Sequence, residues 1–382
     1  MGSKNVLMVA GEASGDLHGA HLVEAVHAID PEVHFFGVGG QGLKSRGMEL
    51  LYSSESLAVV GITEVLFRLK PILKALRGLK QTLEQRRPDL ILLIDFPDFN
   101  LRLARMAYQR GIPVLYYISP QVWAWRSGRI KQIARWVKKM IVLFSFEAPL
   151  YRAAGVDVEW VGHPLLDLVK PSLPADEAMR QFGLDPARRT IGLLPGSRLQ
   201  EIERLLPVLL GSAQLLQREM PDLQFVLPLA PGISKGDLSP WMEKAPVPLT
   251  LVEGQGYDVM NLSELLITAS GTATLEGTIL RKPMIILYRV SPLSYLIARM
   301  MVRVKYIGLV NLVAGREVVP ELIQGNANPE RVAEEALRIL RDPDHQRKMT
   351  EAMEGVCRSL GDPGAARRAA RIVCSLLDAG KR

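Results

Sequence analysis

The sequence predicts an α/β protein built from two Rossmann-like, doubly wound domains facing a cleft. Three observations carry that prediction. Short apolar runs alternate with helical patterns along most of the chain, the signature of a mostly parallel sheet with helices on both faces. The pattern restarts after residues 164–186, a stretch with four prolines that reads as a hinge. And 382 residues are too many for one typical domain and suit two.

Strand candidates in the first half are Val6–Ala10, Val33–Val38, Leu90–Ile94, Val114–Ile118, Met140–Phe144 and Val158–Val161. In the second half they are Thr190–Leu194, Gln224–Leu229, Leu249–Leu251, Leu265–Thr268 and Met284–Tyr288. The tail is helical: Asn328-Pro329-Glu330 reads as a cap with proline at the first helical position, and Asp342-Pro343 and Gly361-Asp362-Pro363-Gly364 punctuate two further helices. The expected boundaries are 1–165, 166–345 and a C-terminal helical piece, 346–382, packing back on the first domain or on a partner subunit.

Hydrophobic residues make up 48% and charged residues 23%, so the chain can bury substantial cores. Lys plus Arg number 47 against 40 Asp plus Glu, a net charge of +7. That excess favours an anionic partner such as a nucleotide phosphate or an acidic membrane face. The two cysteines, Cys357 and Cys374, show no metal or disulfide spacing, which fits a reducing compartment. Too short an apolar run precedes Glu12 for a signal peptide, and the longest uncharged run, 111–125, is too short to span a bilayer. A cytoplasmic protein that can touch a membrane is expected.

The first strand is followed at once by Gly11-Glu12-Ala13-Ser14-Gly15-Asp16-Leu17-His18 and a helix pattern. Glu12, Ser14, Asp16 and His18 thus crowd the first strand-to-helix turn, where open α/β sheets place their ligands. An ordinary Gly-rich connection is the competing reading, but it needs turn formers, not two carboxylates and an imidazole. Leu90–Ile94 is a second apolar strand, and it ends in Asp95, with Asp98 and Asn100 beyond it. Apolar surroundings there raise a carboxyl's pKa toward that of a general base, although Asp95 would serve equally as a cap.

In the second half, Leu194-Pro195-Gly196-Ser197-Arg198 reads as strand, tight turn, helix. Gly196, Ser197 and Arg198 offer backbone N–H groups, a hydroxyl and a planar cation to a phosphate. Ser270-Gly271-Thr272 opens another helix, with Glu276 about one turn on, placed to accept from ribose hydroxyls. The pair of turns in one domain favours a nucleotide diphosphate site. Gly37-Val38-Gly39-Gly40-Gln41-Gly42 spells a dinucleotide fingerprint, but it follows the second strand and a basic helix comes next, so a nicotinamide site is not expected. No cofactor and no metal are expected, because no ligand cluster is visible.

These blocks carry a family resemblance. Gly11–Asp16, Ile94–Asn100, Ser119-Pro120-Gln121-Val122-Trp123-Ala124-Trp125-Arg126, Leu194–Arg198, Ala269–Glu276 and Asn311-Leu312-Val313-Ala314-Gly315-Arg316 stand in the order found in bacterial lipid-A-disaccharide synthases, which the chain resembles over nearly its whole length. The resemblance implies an inverting glycosyltransferase of the two-Rossmann-domain type. Its donor would be UDP-linked 2,3-diacylglucosamine, its acceptor 2,3-diacylglucosamine 1-phosphate, and its products a β-1,6 disaccharide phosphate and UDP. It implies Asp95 as base, with His18 and Asp98 left as alternatives. It adds Trp125 and Asn311 to Glu12, Ser14, Asp16 and Asn100 as residues lining the acceptor side. The first domain would take the acceptor and the second the UDP-sugar.

Partners then include an anionic inner-membrane surface, with peripheral association and a homodimer as further expectations and no role for nucleic acid. The membrane expectation has its own residues. Leu66, Leu69, Leu73, Leu76 and Leu79 recur at helical spacing among Arg68, Lys70, Lys74, Arg77 and Lys80, and no acidic residue lies between Glu276 and Glu317. Basic amphipathic segments favour anionic membranes, although a core-facing helix with a solvated basic face gives the same pattern. Two other readings stay open: a nucleotide-sugar epimerase of the same architecture, and a non-catalytic membrane-surface protein.

Overall fold

A computed structural model of the chain describes residues 4–57, 65–120, 128–301 and 304–380, with side chains throughout except at 56, 65–70, 293, 297, 298, 300 and 301. The chain divides into two compact units, one formed by Met1–Pro164 with Leu360–Arg382, the other by Leu165–Ser359.

The first unit holds a seven-stranded sheet. Its strands are β1 (Lys4–Ala10), β2 (Val33–Gly39), β3 (Glu49–Ser53), β4 (Leu90–Ile94), β5 (Val114–Tyr117), β6 (Lys139–Val142) and β7 (Val158–Trp160). They lie in the order β3-β2-β1-β4-β5-β6-β7, every pair parallel. Leu90 to Ile94 are all buried, as a central parallel strand covered on both faces must be, which explains the unbroken apolar run. The order reverses between β1 and β4, so their carboxyl ends flank the topological switch point.

The second unit repeats the plan with six strands: β8 (Arg189–Leu194), β9 (Leu223–Leu229), β10 (Leu249–Glu253), β11 (Leu265–Ala269), β12 (Met284–Tyr288) and β13 (Glu321–Ile323). Their order is β10-β9-β8-β11-β12-β13, again all parallel, with the switch point between β8 and β11. The two strands that the sequence pattern did not reveal, β3 and β13, are sheet edges. Every residue of β3 is half-buried, and β13 is three residues long, so neither shows an apolar run.

Two sequence expectations need correcting here. The proline-rich stretch is not a free hinge: it carries the helices Leu165–Leu168 and Ala175–Gln181 and is packed on the second unit. The buried Asp258 carboxylate holds it there, accepting from Ser172 N at 2.7 Å, Ser172 Oγ at 2.7 Å and Leu173 N at 2.8 Å. The amphipathic helix Val65–Gln85 is in good part a core element. Ala75, Leu76, Leu79 and Leu83 are buried in the cluster that covers β1 and β4, so the stripe that includes Leu76 and Leu79 faces protein. Leu73 points the other way and is 40% exposed, while the side chains of Leu66 and Leu69 lie outside those described.

The C-terminal helices part company. Pro343–Ser359 belongs to the second unit, and Ala365–Ala379 returns to the first, packing along Ala13–His27. Lys4 ties that return in place, reaching Asp378 at 2.6 Å and Asp30 at 2.8 Å.

Candidate active site

In the first unit the switch point gathers Glu12 and Asp95. Register pairing of Ala10 with Ile94 puts the ends of β1 and β4 side by side. Gly11 follows β1, and a Cβ there would fall 2.3 Å from the Phe96 ring, so only glycine admits that ring against the turn. Glu12 occupies the N-cap position of the helix Ala13–His27 with its side chain exposed, and Ser14 is exposed beside it.

Asp95 and Phe96 are both left-handed, with φ of 43° and 44°. Each such non-glycine residue costs on the order of 1–3 kcal/mol, a strain characteristic of functional turns. The turn ends β4 abruptly and starts the helix Pro97–Tyr108 with proline in its first turn. It leaves the Asp95 side chain half-buried. Desolvation, and then the charge on Glu12, push its pKa up to about 7.

Asp98 and Asn100, which follow Asp95 in the sequence, both lie in that helix. Asn100 is fully buried and does not line an open crevice; its Nδ2 donates to the carbonyls of Ile94 at 3.1 Å and Asp95 at 2.7 Å. Asp98 is exposed and ion-paired with Arg129. His18 lies one turn into the first helix and is buried, with no protein hydrogen bond to its Nδ1. Burial, helped by His21, lowers its pKa to about 4, so the ring is neutral at physiological pH.

Asp16 is taken up by structure. Its carboxylate accepts from the backbone N–H groups of Gly40 at 2.6 Å, Gly42 at 2.8 Å and Leu43 at 3.2 Å. Gly40 and Gly42 of the glycine-rich segment thus give their amides to an internal carboxylate, not to a diphosphate. Trp125 lies outside the described residues.

In the second unit the two predicted turns are brought together at the other switch point, since Leu194 of β8 pairs with Thr268 of β11. Gly196 has φ of 118°, and a Cβ there would sit 2.5 Å from Glu201 Oε2, so glycine is required on both counts. Glu201, which the sequence reading passed over, accepts from Ser197 N and from Arg198 Nη1, each at 3.2 Å. Arg198 is the N-cap of the long helix Leu199–Glu219 and stays 58% exposed while paired with Glu201. Across from it, Ser270 Oγ donates to the Ile307 carbonyl at 3.2 Å, and Gly271 and Thr272 are exposed at the start of Ala273–Ile279.

Glu276 follows one turn in, half-buried, its pKa raised by desolvation. Tyr257, another residue with no sequence signal, donates to Glu276 Oε1 at 3.3 Å. Asn311 must be corrected. It is fully buried, and its amide is spent inside the unit: Nδ2 donates to the Val319 carbonyl and Glu321 Oε1, both at 2.8 Å, while Oδ1 accepts from Val318 N at 2.6 Å and Val319 N at 3.0 Å. Among the described residues no three His, Cys, Asp or Glu side chains converge as metal ligands would.

Two parallel α/β units, with polar turns at both switch points, define the class of two-domain nucleotide-sugar glycosyltransferases and their fold relatives. Solved structures agree on the fold: a putative UDP-N-acetylglucosamine 2-epimerase from Listeria monocytogenes has a TM-score of 0.65 at 16% identity, with 99% of this chain and 98% of that one covered. The UDP-GlcNAc 2-epimerase from Neisseria meningitidis bound to UDP-GlcNAc has a TM-score of 0.63 at 14% identity over 98% and 99% of the two chains. At such identity the likeness is of fold alone.

A model of the lipid-A-disaccharide synthetase family matches residues 6–374, and the chain belongs to that family. It is 49% identical over 375 residues to the lipid-A-disaccharide synthase of Geobacter sulfurreducens, covering 98% of each chain. It is 50% identical over 378 residues to that of Syntrophus aciditrophicus, covering 99% of each. The protein is therefore a glycosyltransferase of lipid A biosynthesis, and neither the epimerase nor the non-catalytic reading stands.

Proposed function

We propose that this chain transfers 2,3-diacylglucosamine from its UDP-linked form to the 6-hydroxyl of 2,3-diacylglucosamine 1-phosphate, with inversion at the anomeric carbon. The observation that carries the mechanism is the Asp95 carboxyl, held in a strained turn at the switch point of the first unit with a pKa near 7. In one displacement the acceptor O6 bonds to the anomeric carbon and its proton passes to Asp95. The bond from that carbon to the diphosphate oxygen breaks, and its electron pair leaves with UDP. A base tuned to the working pH is the most effective. His18, with a pKa near 4, is a much weaker acceptor, and Asp98 is engaged by Arg129.

In the second unit, Ser197, Arg198, Ser270, Gly271, Thr272 and the two helix starts stabilise the departing diphosphate, and Glu276, oriented by Tyr257, takes the ribose hydroxyls. Glu12 and Ser14 bear on the acceptor. The membrane-facing part of the reading rests on Leu73, exposed beside Lys74 and Arg77, which favours peripheral contact with an anionic cytoplasmic face of the inner membrane. Among the described residues no helix is long and apolar enough to cross a membrane.

The test is direct. The purified chain is incubated with UDP-2,3-diacylglucosamine and 2,3-diacylglucosamine 1-phosphate, and UDP and disaccharide are followed together. Equal amounts of both, lost together in Asp95→Asn, support the reading. UDP release without disaccharide would overturn it.

A further inference from the structure

We infer that Tyr116, acting with Asn100, is a positioning residue that fixes the aim of the Asp95 carboxylate. The inference rests on Asp95 being the base. Two consecutive left-handed non-glycine residues persist only where the surroundings over-determine them, and Asp95 and Phe96 are such a pair.

Those surroundings converge on one atom, the Asp95 carbonyl oxygen. Tyr116 Oη donates to it from β5, and Asn100 Nδ2 donates to it at 2.7 Å from the helix that follows. Asn100 also holds the preceding carbonyl, that of Ile94, at 3.1 Å. The peptide leaving Asp95 is therefore gripped from two elements at once. Its plane sets the backbone angles at Asp95, and these set the direction of the side chain.

Tyr116 is fully buried in the core of the first unit, so its ring is fixed by packing and no water can stand in for its hydroxyl. Nothing in the core requires a phenol at that place; phenylalanine would pack as well. The hydroxyl is engaged at the turn, by the Asp95 carbonyl and the Asn100 side chain. Ionisable groups that bear on this corner are Glu12 just beyond β1, Tyr116 itself, Tyr151, and the Arg129–Asp98 pair from the flanking helices.

The experiment compares Tyr116→Phe, Asn100→Ala and Asp95→Asn with the parent, measuring kcat, KM for the UDP-sugar, the pH profile of kcat and the thermal melt. In Tyr116→Phe the base is loosened rather than lost, so kcat should fall about tenfold to a hundredfold, because small misplacements of reacting groups are that costly. KM for the donor should stay within about twofold, since the UDP groups sit in the other unit. A loosened carboxylate reaches water, so the acidic limb of the profile should move down by about half a unit or more. Asn100→Ala should move the limb the same way, which covers a poorly folding Tyr116→Phe.

A Tyr116→Phe enzyme with the parent's kcat and acidic limb overturns the positioning role while leaving the base assignment intact. A fall in kcat that only tracks a lowered melt, with the limb unmoved, overturns it too. If Asp95→Asn keeps the parent's turnover, the base reading fails and this inference falls with it.

Discussion

Glu12 and Asp95 stand at the ends of adjacent, register-paired strands, and the negative charge on Glu12 adds to desolvation in raising the Asp95 pKa to about 7. Two carboxyls far apart in the sequence are thus coupled by the parallel pairing of β1 and β4.

Asp95→Asn is predicted to lower turnover by about 10²–10⁴-fold, the usual contribution of a general base, with UDP affinity nearly unchanged. Titration calorimetry with UDP and a steady-state assay on the same preparation check it. A loss smaller than about tenfold would move the base to another group.

The same substitution is predicted to stabilise the fold above neutrality. The Asp95 pKa lies near 7 in the native state and near 3.8 in the unfolded chain. Between those values the native state holds a proton that the unfolded chain has released, so stability falls as pH rises through the window and levels off above about 7. An amide escapes that loss and tolerates the left-handed backbone. Asp95→Asn should therefore melt about 2 °C or more above the parent at pH 8, with the two converging near pH 4. A lower melt at pH 8 would contradict the assigned shift.

Glu12→Gln is predicted to move the acidic limb of the pH–kcat profile to lower pH. It removes the like charge but leaves the larger cause, burial, in place, so the limb should move only part of the way to an ordinary carboxylate. A limb moved upward would show that Glu12 does not act on Asp95 through its charge.

Arg198→Ala is predicted to weaken UDP binding and slow turnover together, because in the proposed site this 58% exposed guanidinium at a helix start would meet the diphosphate in the ground state and more strongly as charge develops. Calorimetry showing the parent's UDP affinity in the variant would exclude this role.

Along the helix Val65–Gln85, leucines on opposite faces should respond in opposite ways. Leu79→Ala removes a fully buried side chain and should cost about 2–5 kcal/mol of stability. Leu73→Ser alters a 40% exposed one and should leave the melt nearly unchanged while lowering recovery with anionic vesicles. Thermal melts and vesicle co-sedimentation on both variants separate a core face from a membrane face; unchanged sedimentation of Leu73→Ser would remove that residue from the membrane reading.

Local order in the sequence was enough for the two doubly wound units, because a central parallel strand such as Leu90–Ile94 must be apolar on both faces and its turn must carry the polar residues. It was enough as well to pair Pro195–Arg198 with Ser270–Glu276, since both turns close strands at one switch point. The edge strands Glu49–Ser53 and Glu321–Ile323 were illegible because a half-covered edge needs no apolar run. Tertiary structure alone decided which polar residues are spent internally. Asp16 clamps the amides of Gly40, Gly42 and Leu43, Asn100 holds the carbonyls of Ile94 and Asp95, and Asn311 braces residues 318–321. A hydrogen bond between residues distant in sequence leaves no periodic trace, so a carboxylate or amide open to a ligand and one satisfied by backbone read alike until the chain is folded.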